Sequence, residues 1–346
     1  MSRVLVNGIG AVSPAGWGVA ALRDTVAGGR PWPTQTVARP GWKEPMLLRR
    51  VPSPSPRPDF LAHARLRRSS AIAQYTVAAA MEALGEEAVR VQSGAVRLGI
   101  VVCVMAGCVA YSRRFYEETL KDPATASPLL FPETVFNAPA SHLAALLSAT
   151  GPSYTLVGDD STVLQGLALG ADWLLTGQVD GCVIVGAEET DWIEADAMRL
   201  FQRDSIHGDG AGALYLKTGN RSEGPPATAE LACVTDSFLF TQRQDRATAA
   251  RRMCAQLPAR DRNELLCASA HGHRIHDRAE ADAWQDWPGA RVAVRKILGE
   301  AFSAAAAWQC VLACDALRRD HFAAANVSVV GANLQAIGAR FTPPTD

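Results

Sequence analysis

Short β-branched runs alternate with longer runs rich in Ala and Leu along most of this chain. Residues 4–7, 98–105, 179–185 and 211–217 are short and almost continuously apolar. That pattern predicts strands buried on both faces. Residues 72–84 and 163–176 between them are longer, and their apolar positions predict helices packed on those strands. Beyond residue 226 the alternation repeats, with strand-like 228–234, 265–270 and 327–330 and helix-like 247–256 and 302–317. A polar Gly/Pro stretch, 219–226, separates the two series. The prediction is an α/β chain of two similar halves, 1–218 and 227–346, forming one compact unit of sheets layered with helices. Residues 31–58, rich in Pro and Arg, read as a surface loop.

Composition acts mainly by exclusion. The 346 residues are 48% hydrophobic and 20% charged, enough for a large buried core. The net charge of -1 offers no footprint for nucleic acid or an anionic membrane surface. No apolar run is long enough to cross a bilayer, and Arg3 is followed by a short strand-like run rather than a secretory leader. A cytoplasmic location is expected. The eight cysteines form no CxxC pair and no metal-ligand spacing with histidines. Most lie in apolar runs and read as small buried hydrophobes. Cys310 and Cys314 share a helical face, which is core spacing. No metal and no cofactor are expected.

The chemistry centres on Gly151-Pro152-Ser153-Tyr154-Thr155-Leu156-Val157-Gly158-Asp159-Asp160-Ser161-Thr162. This run resembles the stretch that carries the nucleophilic cysteine of β-ketoacyl synthases, and Asp160 stands at the matching position. Other matches follow in the family's order. Val6-Asn7-Gly8-Ile9-Gly10 with Pro14 resembles the opening strand and its turn, and Arg67-Arg68-Ser69-Ser70 the start of the next long helix. Phe131-Pro132 and Asn137-Ala138-Pro139-Ala140 come next, then Gly186-Ala187-Glu188-Glu189 and Gly208-Asp209-Gly210-Ala211-Gly212. The last are Ala270-His271-Gly272, Lys296-Ile297-Leu298-Gly299-Glu300 and Gly331-Ala332-Asn333. Each is weak alone, but together and in order they imply the thiolase-like five-layer α-β-α-β-α fold, each half supplying one sheet. The chain is shorter than a typical ketosynthase, with visible shortenings between 200 and 208 and between 272 and 277.

The resemblance also assigns site positions one by one. Asp160 takes the place of the nucleophile, His271 that of the first histidine, Lys296 that of the lysine and Glu300 that of the second histidine. The stretch where the family carries a gating phenylalanine reads Asn326-Val327-Ser328-Val329-Val330-Gly331. A carboxylate is a much poorer acyl acceptor than a thiolate. A glutamate where a histidine is usual places negative charge against a developing oxyanion. Both changes disfavour condensation and malonyl decarboxylation. The residues also allow plainer roles. Asp159, Asp160 and Ser161 open the predicted helix, where Asp is a favoured cap. Lys296 and Glu300, four apart, suit an ion pair on one helical turn, and Lys296 paired with Asp160 is the alternative.

Two functions follow as expectations. One is a ketosynthase-like subunit of a fatty-acid or type II polyketide pathway, similar to a chain-length factor that shapes the acyl tunnel of an active ketosynthase. Its short length is closer to the homologues of polyene-type pathways. Residues 154–157 would then pair across a dimer axis, as a heterodimer or homodimer. Arg67, Arg68, Arg251 and Arg252 would meet an acidic acyl carrier protein or form a solvated face. The ligand implied is that carrier's phosphopantetheine arm. The other is a repurposed enzyme using Asp160, His271 and Glu300 for acyl-thioester hydrolysis, acyl transfer or cyclisation, with Ser161 as a candidate nucleophile. A homodimeric scaffold that binds acyl chains without chemistry is a third reading.

Overall fold

The computed structural model describes residues 3–202, 205–219, 227–257, 261–272, 274–320, 322–331 and 335–344. Ten strands build the main sheet path. The first five are β1 (Val4–Ser13), β2 (Leu98–Val104), β3 (Ser153–Val157), β4 (Gly181–Glu188) and β5 (Gly210–Thr218). The second five are β6 (Ala229–Val234), β7 (Glu264–Ala268), β8 (Ala290–Val292), β9 (Ala324–Val330) and β10 (Gln335–Thr342). Their spatial order is β3-β2-β4-β5-β1 followed by β6-β10-β9-β7-β8. Read from the outer edge inward, each set runs third, second, fourth, fifth, first. The strand senses repeat as well. The pairs β2–β3, β2–β4, β7–β8 and β7–β9 are parallel. The pairs β4–β5, β5–β1, β9–β10 and β10–β6 are antiparallel. The two sets meet edge to edge where Leu5 faces Glu230 and Val6 faces Ala229.

Eight helices matter for the layers and the site: α1 (Ala71–Leu84), α2 (Val109–Lys121), α3 (Ala138–Leu147), α4 (Thr162–Leu175), α5 (Arg246–Gln256), α6 (Arg274–Ala283), α7 (Val294–Leu298) and α8 (Phe302–Arg319). Helices α1 and α3 pack on the first sheet, α5 and α6 on the second, and α4 and α8 touch strands of both. This is the five-layer α-β-α-β-α arrangement. Helix α8 packs very closely on the first set of strands. It is buried nearly all round and is mostly Ala, Cys and other small residues. Gly186 on β4 and Gly212 on β5 lie directly beneath it. A Cβ on Gly186 would sit 2.2 Å from the Ser303 carbonyl oxygen, and one on Gly212 2.8 Å from the Ala307 Cβ. The glycines of those two motifs are therefore packing requirements.

Some elements differ from expectation. The first strand runs on to Ser13, and β3, β8 and β10 are strands that hydrophobic pattern alone did not predict. Residues 31–58 are not all surface loop. Met46–Arg49 is a strand that pairs with His207–Gly208 and buries Met46 and Leu48 beside Ala195. Helix α2 buries none of its residues. Of the motif positions, Ala332 and Asn333 lie outside the described residues, as do 220–226, 203–204 and 273. No helix among the described residues is long and apolar enough to cross a membrane.

Candidate functional site

Strand β3 ends at Val157 and α4 begins at Thr162, so residues 158–161 form the turn that carries Asp159 and Asp160. The two acids point to different partners. Asp159 turns back on its own turn, where its Oδ1 accepts from the Ser161 amide at 3.2 Å and from the Ser161 hydroxyl. Asp160 does not cap α4. Its Oδ2 lies 2.5 Å from Nη1 of Arg295, with Asp160 1% exposed and Arg295 0% exposed at the side chain. The cap expected of Asp160 is not made by any side chain: Asp159 bends to the turn's own Ser161 amide while Asp160 faces the other half of the chain.

Arg295 is the hub of the site. Its Nη1 donates to both carboxylate oxygens of Glu300, at 3.2 and 3.0 Å. It also stands 3.1 Å from Nδ1 and 3.4 Å from Nε2 of His271. Nδ1 of His271 is hydrogen-bonded to Glu300 Oε2. Glu300 further accepts the Phe302 amide at 2.8 Å. The structure thus brings Asp160, His271 and Glu300 together around Arg295, and it leaves Lys296 out. Lys296 is exposed on α7, so neither the Lys296–Glu300 pair nor the Lys296–Asp160 pair forms. The reason is helical phase. Val294, Arg295, Ile297 and Leu298 are buried, and residue 296 faces the opposite way.

Backbone contacts hold the cluster in place. The His271 and Gly272 amides donate to the two oxygens of Asp277, at 2.7 and 2.9 Å. Glu300 is fixed by its main chain, since its amide donates to Ile206 O at 2.9 Å and its carbonyl accepts from Gly208 N at 2.8 Å. Gly331 closes the far side. A Cβ there would lie 2.0 Å from Asp159 Oδ2 and 3.0 Å from Asp160 Oδ1, so a side chain at 331 would displace the acids. Arg246 on α5 is a second buried arginine nearby, donating from Nη2 to Val330 O at 2.8 Å. Burial lowers its pKa against the opposing charges of Asp160, Glu280, Asp159 and Asp277.

Electrostatics follow from this geometry. Burial works to raise the Glu300 pKa, but the Arg295 and His271 charges outweigh it and hold the carboxyl well below the usual range. Burial likewise works to lower the Arg295 pKa, and Glu300 and Asp160 together raise it. Arg295 and Arg246 were not found from sequence. The available signal was an arginine three residues before buried Leu298 on one helical face, which residue type alone does not reveal.

A second buried acid group lies at the end of β4. Glu188 accepts the amides of Met105, Ala106 and Gly107. Glu189 accepts the Ile72 amide at 3.1 Å and the Ala110 amide at 2.9 Å, tying down the starts of α1 and α2. Asp209 accepts the Val51 amide at 2.6 Å. Burial pushes both Glu189 and Asp209 up to about 7.

The family model for the β-ketoacyl synthase N-terminal domain matches residues 1–220. The chain belongs to the β-ketoacyl synthase family. As a β-ketoacyl synthase family member it also superposes on solved ketosynthase structures across nearly its whole length. The ishigamide ketosynthase/chain length factor gives a TM-score of 0.81 at 20% identity, covering 99% of this chain and 100% of the other. A type II polyketide synthase acyl-carrier protein in complex with its ketosynthase bound to the hexaketide gives 0.78 at 17% identity, covering 99% of each chain. A β-ketoacyl synthase from Burkholderia phymatum STM815 gives 0.77 at 16% identity, covering 99% of this chain and 100% of that one. Likeness at such low identity establishes the thiolase-like ketosynthase fold. No curated protein matches the chain.

The side chains of the cluster are engaged with one another and enclosed. Ser161 is fully buried and its hydroxyl donates to Asp159. Asp160 is engaged by a cation, and the Glu300 carboxylate is held ionised beside it. The cysteines Cys108, Cys182 and Cys267 are buried, and burial pushes their thiols up to about 12, far from thiolate chemistry.

Proposed function

We propose that this chain is a non-condensing, chain-length-factor-type subunit of a fatty-acid or type II polyketide pathway, polyene-type pathways included. It associates with an active ketosynthase and helps shape that partner's acyl tunnel. The observation that carries the reading is the ion-pair cluster at the turn after β3. Acyl transfer needs a nucleophile that a pantetheine thioester can reach. Asp160 is 1% exposed and bound to Arg295 instead. An ionised Glu300 would oppose, not stabilise, an enolate oxyanion.

A partner is supported by the surface. Strand β3 is an end strand with β2 as its neighbour, and among the described residues no strand pairs with its other edge. Free edges invite strand addition. Tyr154 is 53% and Val157 55% exposed, and Tyr116, Leu120, Leu129 and Phe136 are further exposed apolar side chains of the first half. A groove of about 880 Å³ runs beside this edge, lined by Arg65, Ser141, Ala144, Ser148 and Tyr154. Arg67, Arg68, Arg251 and Arg252 are exposed cations suited to an acidic acyl carrier protein, whose phosphopantetheine arm would serve the partner's thiol. The likeness to the ishigamide ketosynthase/chain length factor agrees with this role. Hydrolysis, acyl transfer or cyclisation by Asp160, His271 and Glu300 would require the cluster to open, and side-chain exposures of 1–3% stand against that.

Co-purification with an intact ketosynthase of the same pathway tests the proposal. A stable one-to-one complex is expected, with carbon–carbon bond formation by the complex and no acyl uptake by this chain alone. Condensation by the isolated chain, or acyl-thioester hydrolysis abolished by D160N, would overturn it.

A further inference from the structure

We infer that the buried cluster is also a clamp between the two halves, which positions the free edge of β3 for a partner. The consequence for partner binding rests on the function proposed above; the clamp itself rests on the geometry alone. Asp160 belongs to the first half and lies three residues beyond Val157, the end of β3. Among the described residues, the partners of its carboxylate belong to the second half. Arg295 contacts it, Glu300 and His271 brace Arg295, and Gly331 packs against it.

Strand β3 needs such an anchor. It is paired along one edge, from Ile100↔Ser153 to Val104↔Val157. Its leading end is fixed by Pro152, whose carbonyl accepts the Ile100 amide at 2.9 Å. At its trailing end the Gly158 amide donates to Val104 O at 3.1 Å, and the chain then enters the turn held by Asp160. A strand paired on one side only has fewer contacts holding it against local opening. Asp160 and Arg295 touch no exposed surface, so their effect on a partner would pass through the position of β3. That makes them positioning residues.

The alternative is that the pair only neutralises charge in the core. Hydrogen exchange separates the two. The expected result for R295M is faster exchange of the β2-bonded amides of residues 153–157 than of the α8 amides, with association to an intact ketosynthase weakened about threefold to thirtyfold. R295K keeps the cation and should restore part of both effects. Should R295M fail to fold, D160N, which leaves Arg295 on Glu300, carries the test with the same expected direction. Unchanged exchange at 153–157 in D160N, or a rise that merely follows global unfolding, overturns the clamp. If the unmodified chain binds no ketosynthase, the partner reading fails, and the exchange data still decide the clamp.

Discussion

Two groups of buried acids lie in this molecule, and they are stabilised by opposite means. At the end of β4, Glu188 and Glu189 accept hydrogen bonds from backbone amides of other segments. Around Asp160 and Glu300 the partners are an arginine and a histidine. Backbone amides satisfy a carboxyl's acceptors without bringing a full charge, so burial wins and Glu189 is pushed up to about 7. Arg295 brings a full charge, so burial loses and Glu300 is held low. The first group anchors the starts of helices and works with or without ionisation. The second is a network of charges that depends on every member.

The sharpest test of that contrast removes the cation. R295M strands Asp160 and Glu300 in the core and is expected to cost about 3–5 kcal/mol, read from urea unfolding midpoints. Removing the charges together in D160L/R295M/E300L should recover much of the loss. In the other group E189Q is expected to cost about 1–3 kcal/mol, because an amide nitrogen then faces a backbone N–H. Equal costs for R295M and E189Q would erase the distinction.

Stability against pH should show the same opposition. Glu300 has a depressed folded-state pKa, so its contribution is present above the ordinary value of 4.5 and is lost as pH falls through its folded value. Glu189 has a raised one. Its contribution is complete below 4.5 and is lost as pH climbs from there to about 7, a change on the order of 2–3 kcal/mol. Thermal melts from pH 3 to 8 check this. E300Q should flatten the acid limb, and E189Q the rise in Tm on going from pH 7 toward 4.5.

A third buried acid sharpens the comparison. Glu194 lies 3.2 Å from Nδ1 of His207, which packs on Phe302 just behind Glu300. Burial lowers the His207 pKa, but Glu194 outweighs it and the net direction is upward. A histidine raised in this way adds stability below its ordinary value, lost as pH rises through its folded value. E194Q is expected to lower the His207 midpoint in an NMR titration. No movement would mean that Glu194 behaves like the amide-bound acids.

How much of this was legible in the sequence depends on burial on both faces. β2 and β4 are continuously apolar and read directly as strands. β3 mixes Ser, Tyr and Thr because it sits at an edge, and β10 interleaves Gln, Gly and Arg with small residues, so neither carries a clean period. Helix α2 has nothing buried and hence no apolar face toward the core. The nearness of Asp160, His271 and Glu300 was readable only from the order of motifs, since 140 residues separate the first from the last. The arginines were hidden by company. Arg246 shares its helix with Arg251 and Arg252, which are exposed, and residue type cannot tell which one turns inward.

The smallest expected effect tests that last point most directly. Arg295 and Lys296 are adjacent, both cationic, and equally plausible partners for an acid on chemistry alone. The structure separates them by one step of a helix, about 100° of rotation. Arg295 turns inward to the acids, and Lys296 turns to solvent. An exposed lysine away from caps and ion pairs contributes within about 0.5 kcal/mol. K296A should therefore leave the unfolding midpoint, the pH limbs and the exchange of β3 unchanged, where R295M alters all three. A substantial loss in K296A with a mild R295M would mean that the helix is phased one residue away, and Lys296 would then be the cation beside Asp160.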